Sequence, residues 1–263
     1  MRLVTKLAKA TRKMNGLSVV KASNRAIRKL SAQLHYFQHL VEWGFSPTPE
    51  WYDHFLDQYW QWGTTGNFLP WERGAFSSLA LKKDGNALEL CCGDGFNAYH
   101  FYAIHLNSIT SVDFDESAIN HACKNFQNPK ITYKVCDIRT SIPEGTFDNV
   151  IWDAAIEHFT EAEIDKILSD IKKRLSDAGI LSGYTITVRP DGQKSHHDHE
   201  YEFSSKEDLM RFLSPHFQRV KIFETDYPNR HNLYFFASDK EPLPFDSDWE
   251  RCISKRTSDM KFA

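Results

Sequence analysis

The chain lacks several features that define other classes of protein. Its five cysteines form no Cys-x-x-Cys pair and no secreted-type spacing, so we expect free thiols in a reducing cytosol. No apolar run is long enough to span a bilayer, and the start has no signal-peptide hydrophobic region. These absences favour a cytoplasmic globular protein.

Acidic residues are missing from the first 41 positions, which hold nine of the 32 Lys and Arg residues and none of the 35 Asp and Glu residues. Apolar residues recur there at helical spacing and predict two basic amphipathic helices, separated at Asn15-Gly16. We therefore assign residues 1–45 to a basic helical extension.

Four roles for this extension stay open. It could pack on the rest of the chain with a solvated basic face, or make a peripheral contact with an anionic membrane surface. It could also contact an anionic or nucleic-acid substrate, or be a cleaved targeting segment. We expect no specific nucleic-acid partner, because the rest of the chain is acidic.

Residues 87–97 form the most informative segment. An apolar run that includes Glu89 leads into a turn with Gly93 and Gly95, and helix-forming sequence follows over 98–106. In such a strand–turn–helix unit, backbone N–H groups face a ligand, and glycines let the ligand lie against bare backbone. A Gly-x-Gly pair is common in plain turns, so its weight depends on the segments that follow.

Acidic residues follow at the ends of the next two strands. Asp113 ends a second strand, eighteen residues after Gly95, where a carboxylate can accept hydrogen bonds from both hydroxyls of a ribose. Asp115 predicts the N-cap of a helix over 116–125. A third strand over 131–136 then leads to Asp137.

A fourth strand over 147–153 ends in Asp153. Strands that alternate with helices predict an α/β fold with a parallel sheet, which binds its ligands at the carboxyl ends of the strands. The sequence also indicates two further strands, at 220–225 and 232–238, joined through a turn sequence at 227–230. Together they predict a closing hairpin.

Taken in order, these segments resemble the class I S-adenosylmethionine-dependent methyltransferases over roughly 70–240. The matching segments are Leu88–Gly95 for the first motif, Val112-Asp113 for the ribose position, Cys136-Asp137-Ile138 for the adenine-flanking position, Phe147–Ile151 for the fourth strand, and 167–183 for the helix, turn and fifth strand. One residue departs from the pattern: Cys91 stands where the family usually has its first glycine.

The resemblance implies a doubly wound, seven-stranded, mostly parallel sheet of order 3-2-1-4-5-7-6, with strand 7 antiparallel, after the N-terminal helical extension. It implies that residues 46–240 form the methyltransferase domain and 241–263 a tail. The implied cofactor is S-adenosyl-L-methionine.

The cofactor-binding candidates follow from the matched positions. By resemblance, Asp113 would hold the ribose, Asp137 and Ile138 the adenine, and the glycines the methionine end. Arg73 could pair with the cofactor carboxylate, or form a salt bridge with Glu72 or Asp84. The full set is Arg73, Glu89, Cys91, Gly93, Gly95, Asp113, Phe114, Asp137, Ile138 and Asp153.

Catalytic candidates are expected beyond the fourth strand. Methyl transfer is an in-line displacement at a sulfonium, so the protein mainly positions the acceptor and excludes water, but a hydroxyl acceptor also needs a base or a metal to take its proton. His158 is the favoured base, with Glu157 beside it and His199 in reserve. Packing of His158 behind the following helix is the alternative. His199 is expected in a segment that covers the substrate.

The same region bears on metal use. Ile156-Glu157-His158 is similar to a segment of ubiquinone-pathway O-methyltransferases and small-RNA 2′-O-methyltransferases, some of which use a divalent ion. Those families place a further Glu three residues before the Glu-His pair, where this chain has Ala154. We therefore expect no metal.

An aromatic-rich stretch from Trp51 to Trp71 could form a lid over the sulfonium or pack helices on the sheet. The predicted reaction moves the methyl group of S-adenosylmethionine to a small-molecule or glycan acceptor, at oxygen. The alternatives are an N-methyltransferase, a nicotinamide-dependent Rossmann enzyme and a non-catalytic cofactor-binding module. No motif indicates the acceptor's identity or the oligomeric state.

Overall fold

The computed structural model describes residues 2–44, 51–56, 69–189, 191–227, 230–240 and 242–244. The chain divides into two compact units, residues 1–68 and 69–263. Most of the predicted tail, and the part of the predicted aromatic stretch between residues 57 and 68, lie outside the described residues.

Residues 2–44 contain the two predicted helices, α1 (Arg2–Lys13) and α2 (Leu17–Trp43). They are separated at Asn15, whose φ of 54° is left-handed, a conformation that Asn tolerates better than most side chains. None of the residues of α2 is buried. Within the described ranges, no helix has the length and apolar character needed to cross a membrane.

The second unit is built on one seven-stranded sheet of order β3-β2-β1-β4-β5-β7-β6. Strands β1 to β5 pair in parallel, and β7 runs antiparallel to both β5 and β6, so the expected order and orientation are confirmed. The strands are β1 (Asn86–Leu90), β2 (Ser108–Asp113), β3 (Ile131–Val135), β4 (Phe147–Asp153), β5 (Leu175–Ile186), β6 (Arg219–Tyr227) and β7 (Arg230–Ser238).

Three of the four α-helices described in the second unit begin at a capping side chain. They are α3 (Leu69–Leu79), α4 (Glu116–Asn125), α5 (Glu161–Arg174) and α6 (Lys206–Leu213), with one 3₁₀ turn at Ile156–His158. Asp115 caps α4 as predicted, since its Oδ1 accepts a hydrogen bond from the backbone N–H of Ser117 at 2.7 Å. The sequence Ser204-Ser-Lys-Glu207 predicts a capping segment for α6, and in the structure Ser205 is the N-cap, whose side chain accepts from Asp208 N.

The segment after the glycine turn is also not the helix predicted over 98–106. It forms a single π-helical turn, Ala98–Tyr102, in which Ala103 N donates to Ala98 O at 2.9 Å. Tyr102 is fully buried, and its hydroxyl donates to Asp153 at 2.6 Å. The contacts of Tyr102 therefore outweigh the preference of this segment for an α-helix. Single π-helical turns are frequent at functional sites.

Both faces of the central strands are covered. On one face, Leu88, Leu90, Val150 and Trp152 belong to a buried cluster with residues of α5. On the other face, Ala87 and Ile151 pack with Ala98 and Tyr102 of the π turn. Such two-sided burial explains why β1 and β4 are short apolar runs rather than alternating ones.

Gly183 on β5 offers a test of this packing. A Cβ there would overlap the ring of Phe235 and the carbonyl oxygen of Trp152, and backbone cannot move aside easily. We expect Gly183→Ala to lower the free energy of unfolding by about 3 kcal/mol in urea denaturation.

Ser182→Ala is the matched control on the same strand. The buried hydroxyl of Ser182 has no hydrogen-bond partner among the described residues, so its removal should leave stability equal or higher, within about 1 kcal/mol. Equal losses in the two variants would contradict the assignment of the effect to the missing space at Gly183.

Candidate active site

The turn that follows β1, residues 91–97 and here named the cofactor turn, has three left-handed residues. The φ angles are 56° at Cys91, 53° at Gly93 and 78° at Gly95. A left-handed conformation costs a non-glycine residue roughly 1–2 kcal/mol. Cys91 therefore keeps the backbone shape of the glycine it replaces in the family pattern, at a conformational cost.

Asp113 joins the cofactor turn to the end of β2. Its Oδ2 accepts from Gly93 N at 2.9 Å, and its Oδ1 accepts from Asp115 N at 3.0 Å. Burial raises the pKa of the Asp113 carboxyl, and the hydrogen bonds from Asp115 and Gly93 oppose that rise. The structure thus brings together Gly93 and Asp113, two predicted cofactor residues.

Asp137, after β3, is held by Arg139, a residue that no sequence motif indicated. Arg139 donates from Nε to Asp137 Oδ1 at 2.9 Å and from its terminal nitrogen to Oδ2 at 2.8 Å, and this pairing lowers the pKa of Asp137. The guanidinium also lies 5.9 Å from the ring centroid of Phe114, which is 49% exposed. Ile138, in contrast, is buried in the core.

Asp153 ends β4 and lies beside Arg73 of α3. It accepts hydrogen bonds from Tyr102 at 2.6 Å and from Ser77 at 3.1 Å. Burial raises its pKa, while the bond from Tyr102 and the charge of Arg73 oppose the rise. The guanidinium of Arg73 is 5.5 Å from the ring centroid of Tyr184. The structure therefore brings Arg73 and Asp153 into one electrostatic group.

Glu89 is buried inside the sheet. Its Oε2 accepts from Ser111 Oγ at 2.6 Å, yet burial raises the pKa of the carboxyl to about 8. At neutral pH this side chain is therefore mainly protonated.

The 3₁₀ turn after β4 carries Glu157, which is buried. Its Oε2 accepts from Thr185 Oγ1 at 2.9 Å. Its backbone oxygen accepts from the N–H groups of Glu200 and Tyr201 at 2.9 and 3.1 Å. These bonds fix the segment 191–204, here named the acceptor loop, against the end of β4.

His158 and His199 meet at this contact. Their ring centroids are 4.8 Å apart with the planes perpendicular, and His158 Nδ1 is 3.3 Å from the carbonyl oxygen of Asp198. His199 is buried, with Nδ1 2.5 Å from Glu202 Oε1. The structure thus brings together all three predicted catalytic candidates, Glu157, His158 and His199.

Glu202 was not singled out from the sequence, although His199 and Glu202 have a spacing of three. Burial alone would raise the pKa of Glu202, but hydrogen bonds from Ser195 and His199 outweigh it, and the pKa is lowered. A charged carboxylate behind a histidine orients the ring and stabilises its protonated form. The pair is therefore suited to proton chemistry.

The same three side chains could also hold a metal ion. Glu157, His158 and His199 each offer a ligand atom, and these atoms lie within 4.8 Å of one another. Imidazole and carboxylate ligands suit divalent ions such as zinc. Our expectation of no metal therefore stays a prediction that needs a direct test.

Comparison with known proteins adds to this geometry. Residues 87–179 match the family model described as a methyltransferase domain. The matched segment contains the cofactor turn, Asp113, Asp137 and the Glu157-His158 pair. No curated protein matches the chain in sequence.

Solved structures of similar fold are numerous. The N-methyltransferase NodS from Bradyrhizobium japonicum WM9, in complex with S-adenosyl-L-homocysteine, has a TM-score of 0.56 and 17% identity, covering 70% of this chain and 93% of that chain. Phosphoethanolamine N-methyltransferase 2 from Haemonchus contortus, in complex with S-adenosyl-L-methionine, has a TM-score of 0.56 and 16% identity. The match covers 71% of this chain and 60% of that chain. TehB from Haemophilus influenzae has a TM-score of 0.51 and 16% identity, and the match covers 70% of this chain and 66% of that chain. At these identities the likeness shows the fold alone.

The fold and the matched segment together define a methyltransferase domain of the Rossmann-like class. Residues 87–179 therefore match a methyltransferase domain, and the second unit has the fold of the class I S-adenosylmethionine-dependent methyltransferases.

The buried carboxyl of Glu89 predicts a specific dependence of stability on pH. Its pKa is about 8 in the folded chain against an ordinary value of 4.5, so the unfolded chain ionises first. Between these values, wild type should lose stability relative to Glu89→Gln by up to about 1.4 kcal/mol per pH unit. Thermal unfolding from pH 4.5 to 9 measures this difference.

Glu207→Gln removes an exposed carboxylate from α6 and serves as the control. A pH-dependent difference of the same size in this variant would contradict the role of burial at Glu89. Parallel profiles for wild type and Glu89→Gln would do so too.

Proposed function

We propose that this chain transfers the methyl group of S-adenosyl-L-methionine to a hydroxyl group of a small-molecule or glycan acceptor. The observation that carries the proposal is the contact of His158 with the His199–Glu202 pair at the carboxyl end of β4. In a doubly wound fold this edge of the sheet is where ligands bind.

The cofactor would lie along the ends of β1 to β4. Both carboxylate oxygens of Asp113 lie at the cofactor turn, where they can accept from the ribose hydroxyls. The exposed ring of Phe114 offers a stacking surface for the adenine, beside Asp137 and Ile138. Gly93 and Gly95 would face the methionine part.

The methionine end also needs partners for its charges. Arg73 can pair with the carboxylate of the cofactor, and Asp153 with its amino group. Cys91 would line the same part of the turn, while Glu89, neutral at pH 7, lies buried in the strand before it.

The reaction forms a bond between the acceptor oxygen and the methyl carbon while the bond from that carbon to sulfur breaks. The electron pair stays on sulfur, and S-adenosylhomocysteine leaves. The hydroxyl proton would go to His158: if Nδ1–H donates to the Asp198 carbonyl, Nε2 is free to accept. Glu202, beside His199, would stabilise positive charge on the histidine pair.

Two features leave room for related activities. NodS and the Haemonchus contortus enzyme, which share the fold, are named N-methyltransferases, so an amine acceptor is the second candidate. The histidine-rich acceptor loop fits either a sugar or another small molecule.

The free thiols of Cys91, Cys92, Cys123 and Cys136 support a cytoplasmic location.

Calorimetric titration with S-adenosylhomocysteine tests the cofactor site. Wild type should bind in the micromolar range, and Asp113→Asn should bind at least about tenfold more weakly because it loses charge-assisted bonds to the ribose. Asp115→Asn is the control, since Asn caps a helix as well as Asp does.

Two results would contradict this assignment. One is equal affinity in wild type and Asp113→Asn. The other is no binding of S-adenosylhomocysteine combined with binding of NAD(H), which would indicate a nicotinamide-dependent Rossmann enzyme instead.

Methyl transfer from radiolabelled S-adenosylmethionine to a panel of sugars and small alcohols or amines tests the base. With an acceptor in hand, His158→Ala should lower kcat by about 10²–10⁴ with unchanged affinity for S-adenosylhomocysteine. Glu202→Gln should cause a smaller loss, and His197→Ala, at an exposed histidine of the same loop, should cause none.

Four outcomes separate the alternatives. Full turnover in His158→Ala would remove it as the base, and a loss confined to His199→Ala would assign that role to His199. Loss of activity in EDTA that zinc or magnesium restores would show that a metal is required, with Glu157, His158 and His199 as its candidate ligands. A filled cofactor site without turnover of any acceptor would favour a non-catalytic module.

A further inference from the structure

The helix α1 separates apolar and cationic side chains onto opposite faces. At 100° per residue, its apolar side chains cover one half of the helix and its cations the other. The apolar members are Leu3, Val4, Leu7, Ala8 and Ala10, and the cationic members are Lys6, Lys9, Arg12 and Lys13. Leu3 and Leu7 are 72% and 59% exposed.

The helix α2 repeats this arrangement over a greater length. Its apolar side chains recur at spacings of three and four, and its cations lie on the opposite side. The apolar members are Val19, Ile27, Leu30, Leu34, Phe37 and Val41, and the cations are Lys21, Arg25, Arg28 and Lys29. All six apolar side chains are more than half exposed.

We infer that α1 and α2 dock on an anionic lipid surface, with their apolar faces in the boundary between headgroups and acyl chains. Large exposed apolar faces in a folded chain indicate an interaction surface. A lipid surface matches both faces: acyl chains receive the apolar side chains, and anionic headgroups receive the Lys and Arg side chains.

Charge decides between the candidate occupants. The first 41 residues carry nine cations and no acidic residue, so pairing with a second copy would bring like charges together. A nucleic acid or a free anionic solute would neutralise the cations but leave the apolar faces in water. An anionic bilayer satisfies both at once.

The geometry indicates helices that lie on the membrane. The 27 residues of α2 extend about 40 Å. A spanning orientation would place Arg25, Arg28 and Lys29 in the hydrocarbon layer, and no helix of the described chain meets the requirements for crossing. Docking in the interfacial plane keeps these cations at the headgroups.

Co-sedimentation of the full chain with vesicles tests the inference. We expect binding to phosphatidylcholine vesicles that contain phosphatidylserine, weak binding to pure phosphatidylcholine, and release at high salt. No methyl transfer is measured, so this result is independent of the proposed function.

Variants separate the two contributions. Leu7→Gln with Leu34→Gln should weaken partitioning by about tenfold per leucine, because the apolar contribution is lost. Lys9→Gln with Arg28→Gln should weaken it by about fivefold per cation, on the anionic vesicles only. Ile104→Gln, at a residue 53% exposed in the second unit, is the control and should bind as wild type does.

Circular dichroism and thermal unfolding confirm that each variant is folded. Failure of the wild-type chain to sediment with anionic vesicles at low salt would overturn the inference, as would full binding by the leucine variant. A concentration-dependent dimer that the leucine variant abolishes, without vesicle binding, would assign the apolar faces to a second copy of the chain.

Discussion

The carboxylate of Asp113 is the interaction on which the site depends. One of its oxygens holds the N–H of Gly93 and the other that of Asp115, so the end of β2 fixes the cofactor turn after β1. The turn includes a cysteine in a left-handed conformation, which needs a fixed framework to persist. Through β1, which lies between β2 and β4, the same framework sets the position of Asp153 and the 3₁₀ turn.

The sheet could be predicted from the sequence because its buried strands have a simple pattern. Short apolar runs that end in Asp113 and Asp153 mark the carboxyl ends of β2 and β4, and the resemblance supplied the order of the strands. The π turn at Ala98–Tyr102 and the cap at Ser205 could not be predicted from the sequence. An α-helix and a cap at Ser204 are equally compatible with the local sequence, and contacts with neighbouring side chains decide between them.

The candidate site was predictable as separate residues and not as a set of contacts. Motif positions gave Asp113 and His158, but Tyr102 and Ser77 reach Asp153 from 51 and 76 positions away. The link between His199 and Glu202 depends on how the acceptor loop folds over Glu157. Periodicity and spacing carry no signal for contacts of this kind, which the tertiary structure alone creates.

The two adjacent thiols of the cofactor turn have a practical consequence for chemical labelling. Burial raises the pKa of both Cys91 and Cys92, so at neutral pH neither side chain presents the thiolate that alkylating agents and oxidants attack. Burial also raises the pKa of the partly exposed Cys136, whereas Cys123, on α4, is exposed. Among the described cysteines, a maleimide dye would therefore attach to a helix surface and leave the cofactor turn unmodified, so that a fluorophore could report on this protein without blocking the turn.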